Sequence, residues 1–230
     1  RATDTGGGGV DLRGSTAILY ISGTARIENC TAGEMWGANA IFNSGTMYAD
    51  GGTVDGTVNN QGTIKRSEGT ADMDMTVFNK AVYNRAGKSI EAGIYKGTVE
   101  NRGSITGGTF YGGVTDDGGT IRGGTFAVTF DRGDGTKTEP TLVEWNGKVS
   151  RPTSDPEKSG HTFVGWYLGD ALYDFNTPVN APLTLTARWE EVPSSGGNYY
   201  YHPTTDTKAD DAKGSPKTAD PGVALYAALS

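Results

Sequence analysis

The chain has 230 residues, a formal net charge of −7 and 36 glycines, and only 35% of its residues are hydrophobic. Basic groups are spread thinly, 11 in residues 1–126, 6 in 127–190 and 3 in 191–230, against 13, 9 and 5 acidic ones, so no basic stretch is concentrated for a phosphate backbone and no nucleic-acid partner is expected. The single cysteine, Cys30, rules out an intramolecular disulfide and reads as a small buried apolar residue, and nothing in the composition implies a cofactor or a bound metal.

Residues 1 to about 16, RATDTGGGGVDLRGST, are Gly-rich and polar. They are followed by a short unit that recurs. Ile41, Asn43, Gly45 and Met47 form one copy, and Val58, Asn60, Gly62 and Ile64 form the next, with the same landmarks in the same order. Val82, Asn84, Gly87, Ile90 and Tyr95 follow, then VENRGSITGGTF from Val99 and VTDDGGTIRGGTF from Val114, the last ending at Phe126. A sixth, blurred copy runs through AILYISGTARIENC. The step from Asn43 to Asn60, or from Val99 to Val114, is too short a period to fold by itself. Such a unit buries its apolar residues only against the next copy, which defines a solenoid.

Gly, Thr, Val and Ile dominate each copy, and apolar spacing at three and four residues is missing, so short strands are expected and helix is not. The recurring Gly-Gly-Thr supplies positive backbone angles at corners, and Asn or Asp tolerates left-handed backbone and bonds its own main chain. Stacking in register puts Asn43, Asn60, Asn84, Asn101 and Asp116 in one column, each amide bonding the next. A Gly/Thr-rich disordered stalk is the competing reading, but disorder does not account for the ordered return of Val, Asn, Gly, Ile and an aromatic. The expected unit is thus a parallel β-solenoid over residues 1–126. No cap is visible at Arg1, so further rungs are expected before it, and the missing initiator Met fits a mature product or a fragment.

The step from Asn60 to Asn84 is longer than its neighbours, so part of KRSEGTADMDMTVFNK leaves the coil as a loop carrying Glu68, Asp72 and Asp74. Such carboxylates suit an acid/base pair of a carbohydrate-cleaving β-helix or a hard cation such as calcium. A solvated insertion is the plainer reading, because no other copy repeats the cluster.

From Phe126 the pattern changes. Three strand-like runs follow, Val128 to Phe130, Thr141 to Trp145 and Leu183 to Trp189, separated by Pro, Gly and Asp. In the last, Leu183, Leu185, Ala187 and Trp189 alternate with Thr184, Thr186 and Arg188, one dry face and one wet. The order VTFDRGDG, Gly-Lys-Val, Pro, GHTFVGWY, DFNTPV and LTLTARW resembles the Listeria-Bacteroides repeat, the B repeat of internalin-like surface proteins. The resemblance spans residues 127–190, with its strongest marker at Gly160, His161, Phe163, Gly165, Trp166 and Tyr167. It implies a small β-grasp, ubiquitin-like module of bacterial cell-envelope proteins. At Asp131-Arg132-Gly133-Asp134-Gly135 the chain departs from the family's Asn-Gly-Gly type turn, and Asp-Gly also suits a tight hairpin. The departure spells Arg132-Gly133-Asp134, the tripeptide of integrin ligands, although the turn requires Gly and Asp for its own geometry. His161 is expected to pack, and Trp166 and Trp189 to lie in the core.

Residues 191–214 are rich in Pro, Ser, Thr, Gly and charge and read as a flexible linker, with Tyr199, Tyr200 and Tyr201 as sticky decoration or a stacking surface for sugar or wall polymer. In 215–230, Ser215-Pro216-Lys217-Thr218-Ala219 followed by Asp220 and the apolar Val223 to Leu229 resembles the LPXTG-type sorting signals of Gram-positive bacteria. Ser stands for Leu and Ala for Gly, which leaves open the sortase that accepts it. The resemblance implies attack by a sortase cysteine on the Thr218 carbonyl and transfer to an amine on peptidoglycan. The apolar run is far shorter than the ~20 residues of a membrane span, so the rest of that segment and a basic tail are expected beyond Ser230.

The fold expectation is an all-β dominated chain, a parallel β-solenoid followed by a small β-grasp domain and a disordered tail. The functional expectation is a non-catalytic, wall-attached, exported surface protein for adhesion or display toward host glycans, host protein or neighbouring cells. A β-helical polysaccharide-degrading enzyme with a wall anchor and a purely structural spacer are the alternatives.

Overall fold

The computed structural model describes residues 9–28, 39–69 and 75–192, all of them strand, turn or irregular backbone. Cys30, Asp72, Asp74, Tyr199 to Tyr201, the linker from residue 193 onward and the Ser215–Ala219 motif lie outside the described residues, while Glu191, expected in the linker, ends the last strand.

Among the described residues the repeats form a coil of six rungs in parallel register. One sheet stacks Val10–Leu12, Asn39–Asn43, Thr57–Asn60, Val82–Asn84, Val99–Asn101 and Val114–Asp116 in that order. A second, larger sheet folds around a corner. Its strand Thr46–Val54 pairs with Thr63–Lys65 through its first residues and with Val77–Phe78 through its last. Beyond Thr63–Lys65 stack Ser89–Ile90, Ser104–Ile105 and Thr120–Ile121, and beyond Val77–Phe78 stack Ile94–Tyr95, Thr109–Phe110 and Thr125–Asp131. The coil therefore has three flanks, and most of its strands are only as long as one flank.

The inward residue of each strand stacks on its own kind. Ile41, Val58, Val82 and Val99 make one column, Met47, Ile64, Ile90 and Ile105 a second, and Val54, Phe78, Tyr95, Phe110 and Phe126 a third, all buried. In the third, ring centroids stand 4.9 Å apart from Phe78 to Tyr95, 4.9 Å from Tyr95 to Phe110 and 5.3 Å from Phe110 to Phe126, close to the spacing of paired strands. Burial holds the Tyr95 phenol well above its usual range, and its hydroxyl donates to Ala92 O at 2.7 Å.

The sixth copy begins earlier than the AILYISGTARIENC stretch. Its first strand is Val10–Leu12, with Leu12 in the asparagine column, and its second is Ile18–Ile27 against Thr46–Val54. Two further expectations need correction. The second glycine takes positive φ in three of the Gly-Gly-Thr corners, +76° at Gly52, +103° at Gly108 and +100° at Gly124, and in Gly118-Gly119-Thr120 the first does, +82°, but the ladder asparagines lie in strands, and the one described non-glycine with positive φ is Asn146. In the fourth rung the place of Gly45, Gly62 and Gly103 is taken by Lys88, not Gly87, because extra residues widen that corner. A Cβ on Gly62 would stand 2.0 Å from Gly45 O, so the rungs close on each other there without room for a side chain.

Thr125–Asp131 is one strand shared by both regions. Thr125 and Phe126 complete the last rung, while Val128 to Asp131 pair in parallel with Leu183–Glu191. The 126/127 boundary thus falls inside a continuous strand. Thr141–Glu144 pairs antiparallel with Thr125 to Val128, His161–Leu168 pairs antiparallel with Leu183–Glu191, and Ala171–Leu172 closes the sheet. Along Leu183–Glu191 the residues Leu185 and Ala187 are buried and Thr184, Thr186 and Arg188 exposed, as alternation requires. Phe130 meets Trp166 edge-on at 4.8 Å, and Phe163 meets Trp166 and Trp189 at 5.4 and 5.5 Å. Trp166 is buried; Trp189 covers the core from its rim and donates its indole N–H to Arg132 O at 2.8 Å. No helix among the described residues is long and apolar enough to cross a membrane.

Candidate functional site

The asparagine column is structural and lies inside the coil. Each Nδ2 donates to the next Oδ1, from Asn43 to Asn60, Asn60 to Asn84 and Asn84 to Asn101 at 2.8 Å, and from Asn101 to Asp116 at 2.9 Å. The second amide hydrogen goes to a main-chain carbonyl of the following rung, Thr63, Ser89 or Ser104, and the Oδ1 of Asn43, Asn60 and Asn101 also accepts from a glycine N–H two residues on. The four asparagines are fully buried, so their donors and acceptors are used internally. The column ends on Asp116, which is exposed, and a carboxylate accepts a bond but passes none on.

Of the loop carboxylates, Glu68 is described and exposed. The carboxylate that structures the base of the excursion is instead Asp50, which is buried and accepts from Ser67 N at 2.9 Å and Ser67 Oγ at 2.5 Å. Sequence reasoning passed over it because it sits in the middle of a strand, away from any other acid. Among the described residues no group of three or more metal-ligating side chains converges.

The Arg132-Gly133-Asp134 turn is exposed. Its geometry is set from within: Asp131 Oδ1 accepts from Gly133 N at 3.0 Å, and Asp134 Oδ1 accepts from Thr136 N at 2.8 Å and Thr136 Oγ1 at 2.6 Å. The Gly133 bond, with Lys137 at 3.2 Å, holds the Asp131 carboxyl below its usual pKa, and the Thr136 hydroxyl and N–H do the same for Asp134. One oxygen of the exposed Asp134 is thereby engaged within the turn itself. His161 is half-buried at the start of its strand, with Nδ1 2.9 Å from Ser159 O.

The third flank of the coil carries an outward row, Thr53, Val77, Ile94, Thr109 and Thr125, all half-buried. Two open grooves lie along it, and Met75 lines both. One, of 590 Å³, is lined by Arg26, Gly52, Thr53, Val77 and Ile94 among others. The other, of 460 Å³, lies where the last rungs of the coil meet the strand Thr141–Glu144. It is lined by the double glycines Gly107-Gly108 and Gly123-Gly124, by Thr109 and Thr125, and by Arg122, Glu144 and Trp145. Thr125 and Glu144 are paired across the strands, and Trp145 N donates to Gly124 O at 2.8 Å, which fixes the tryptophan against the last rung. Trp145 is 36% exposed, and among the described residues the Arg122 and Glu144 side chains form no ion pair or hydrogen bond. Sequence reasoning read Trp145 only as a strand end. A signal did exist for Arg122, which stands before Gly-Gly where the preceding copy has Thr106.

Residues 126–188 match the family model of the Listeria-Bacteroides repeat domain. A "Putative Gly-rich membrane protein" of Evansella cellulosilytica is 36% identical over 67 residues, 27% of this chain and 8% of that protein. A "Putative membrane protein" of the same organism is 34% identical over 67 residues, 27% of this chain and 10% of that protein. The chain therefore spans a tenth or less of the length of these curated relatives, and no solved structure matches it significantly. Residues 126–188 thus form a Listeria-Bacteroides repeat-like region, joined by a shared strand to an all-β coil of stacked parallel rungs.

Proposed function

We propose that this chain is the outward-facing part of a non-catalytic bacterial surface protein, held at a Gram-positive cell wall and serving adhesion or display. The observation that supports it most is the joining of a Listeria-Bacteroides repeat region to a coil whose interior is committed to its own packing. Such a coil is stiff, keeps its outward rows in fixed register and positions them away from the envelope. The curated relatives, described as membrane proteins, support an association with the cell envelope. The parallel pairing of Thr125–Asp131 with Leu183–Glu191, the first and last long strands of the repeat region, is the arrangement a β-grasp module requires.

Anchoring is assigned to Ser215-Pro216-Lys217-Thr218-Ala219. A sortase thiolate attacks the Thr218 carbonyl, the Thr218–Ala219 bond breaks, and the acyl group passes to a peptidoglycan amine. Incubating the full chain with a Gram-positive sortase and triglycine tests this by mass spectrometry. The expected product ends at Thr218 joined to triglycine, and a Thr218→Ala chain forms none. If sortases of each specificity leave the chain uncut, the anchoring reading fails. Beads coated with the full chain should then adhere to glycan or host-protein arrays; beads that adhere to nothing would leave a mechanical spacer as the better account.

A further inference from the structure

We infer that the groove at the junction of coil and repeat region, 460 Å³ in volume, is a binding site for a neutral, hexopyranose-containing saccharide. This rests on the reading of the chain as a binding protein and names the chemistry of what it binds. Three residues of different chemistry line the groove, and among the described residues none has a side-chain partner: Trp145 with its ring, Arg122 with its guanidinium and Glu144 with its carboxylate. The volume is within the range of about 300–1,000 Å³ usual for small-ligand sites.

The three groups suit a sugar better than any other ligand of that size. One face of a pyranose ring presents C–H bonds and lies flat on an exposed indole, which offers a large rigid apolar surface at little entropic cost. Sugar hydroxyls both donate and accept, so they satisfy an arginine that only donates and a glutamate that only accepts. An acidic sugar would gain from Arg122 but would be repelled by Glu144, and the chain carries a net charge of −7. A phosphorylated ligand is disfavoured for the same reason. The glycine pairs arise for an internal cause, since a Cβ on Gly123 would stand 2.2 Å from Thr106 O and one on Gly107 2.1 Å from Glu91 O. Their consequence is external: two successive rungs offer bare main chain, with the Thr109 and Thr125 hydroxyls beside it. Neither half of the molecule makes the site alone, because Arg122 belongs to the last rung, while Glu144 lies in the strand paired on it and Trp145 directly follows.

The test is calorimetric titration of the full chain with maltotetraose, cellotetraose, mannotetraose and tetra-N-acetylchitotetraose, with tetragalacturonate as the acidic comparison. At least one neutral tetrasaccharide should saturate the protein at millimolar concentration and bind more tightly than tetragalacturonate. Trp145→Ala should weaken it ~10-fold, from the loss of one stacked ring. Arg122→Ala and Glu144→Gln should weaken it as well, while Glu100→Gln on another flank should leave it unchanged. Thermal melts of each variant separate lost binding from lost fold, and the conservative Trp145→Tyr should restore part of the affinity. Saturation by none of the neutral sugars, a preference for tetragalacturonate, or full affinity in a folded Trp145→Ala chain would each overturn the assignment. Adhesion of beads that persists unchanged in Trp145→Ala would remove the groove and leave display standing, whereas failure of the sortase reaction bears only on anchoring.

Discussion

Truncating one member of the buried amide column, Asn60→Ala, is the most direct perturbation of the coil. Asn60 is fully buried and makes four side-chain bonds: to Asn84 Oδ1 at 2.8 Å and Ser89 O at 3.0 Å as donor, and from Asn43 Nδ2 at 2.8 Å and Gly62 N at 3.3 Å as acceptor. Removing it leaves Asn84 Oδ1 without its donor and Gly62 N without its side-chain acceptor, while Asn43 Nδ2 keeps its bond to Thr63 O. An orphaned buried group costs about 1–3 kcal/mol, so two strongly affected neighbours predict a loss of about 3 kcal/mol or more. Asn60→Asp keeps the volume but sets an acceptor against Asn84 Oδ1 and buries a charge, so at neutral pH it should destabilise at least as much and recover as acid protonates it. Asp116→Asn, at the exposed end of the column, should be nearly neutral. Solenoids need not unfold in one step, so the readout is urea melting by far-UV circular dichroism together with amide exchange of Val58 to Val99. A loss under about 1 kcal/mol, the low end of the orphaning cost, with unchanged exchange at Val82 to Asn84 would refute the view that the column holds the rungs in register.

Phe110→Ala opens a hole between Tyr95 and Phe126 in the stacked column and should cost about 3–5 kcal/mol, measured by the same melts. Gly62→Ala places a carbon 2.0 Å from Gly45 O and should cost ~3 kcal/mol, whereas Gly87→Ala meets no neighbour within 4 Å and is disfavoured only by its φ of +71°. Tyr95 has a raised pKa in the fold, so its contribution is complete below the unfolded tyrosine value of about 10 and declines as pH rises past it; tyrosinate absorbance should show one phenol ionising only with unfolding. Asp131 and Asp134 have lowered values, so the turn they hold is complete above the usual aspartate pKa of about 3.9 and loosens as pH falls through their folded values. Carboxyl NMR titration of Thr136→Ala should show Asp134 returning toward the ordinary value.

The rungs were legible in the sequence because a solenoid repeats its neighbours in space at the period with which it repeats them along the chain. Asn43, Asn60, Asn84, Asn101 and Asp116 recur in the sequence and meet in the coil for the same reason, as do Ile64, Ile90 and Ile105. The first rung was harder to see, since Leu12 breaks the asparagine column and the return from it to Asn43 is longer than any later one. His161–Leu168 escaped strand periodicity because a bulge between Phe163 and Gly165 shifts its alternation, and only the resemblance of GHTFVGWY marked it.

Sequence alone thus determined the parallel stacking, the chemistry of each interior column and the change of pattern at Phe126, because these depend on spacing and on like residues meeting like. Only the tertiary structure decided that one strand, Thr125–Asp131, belongs to both regions and that Thr141–Glu144 folds back antiparallel on it. That return carries Glu144 and Trp145 back to Arg122 and the double glycines, which lie well before them in the chain. No local period encodes such a meeting, since it depends on which edge of the last rung is left open for a later strand to cover.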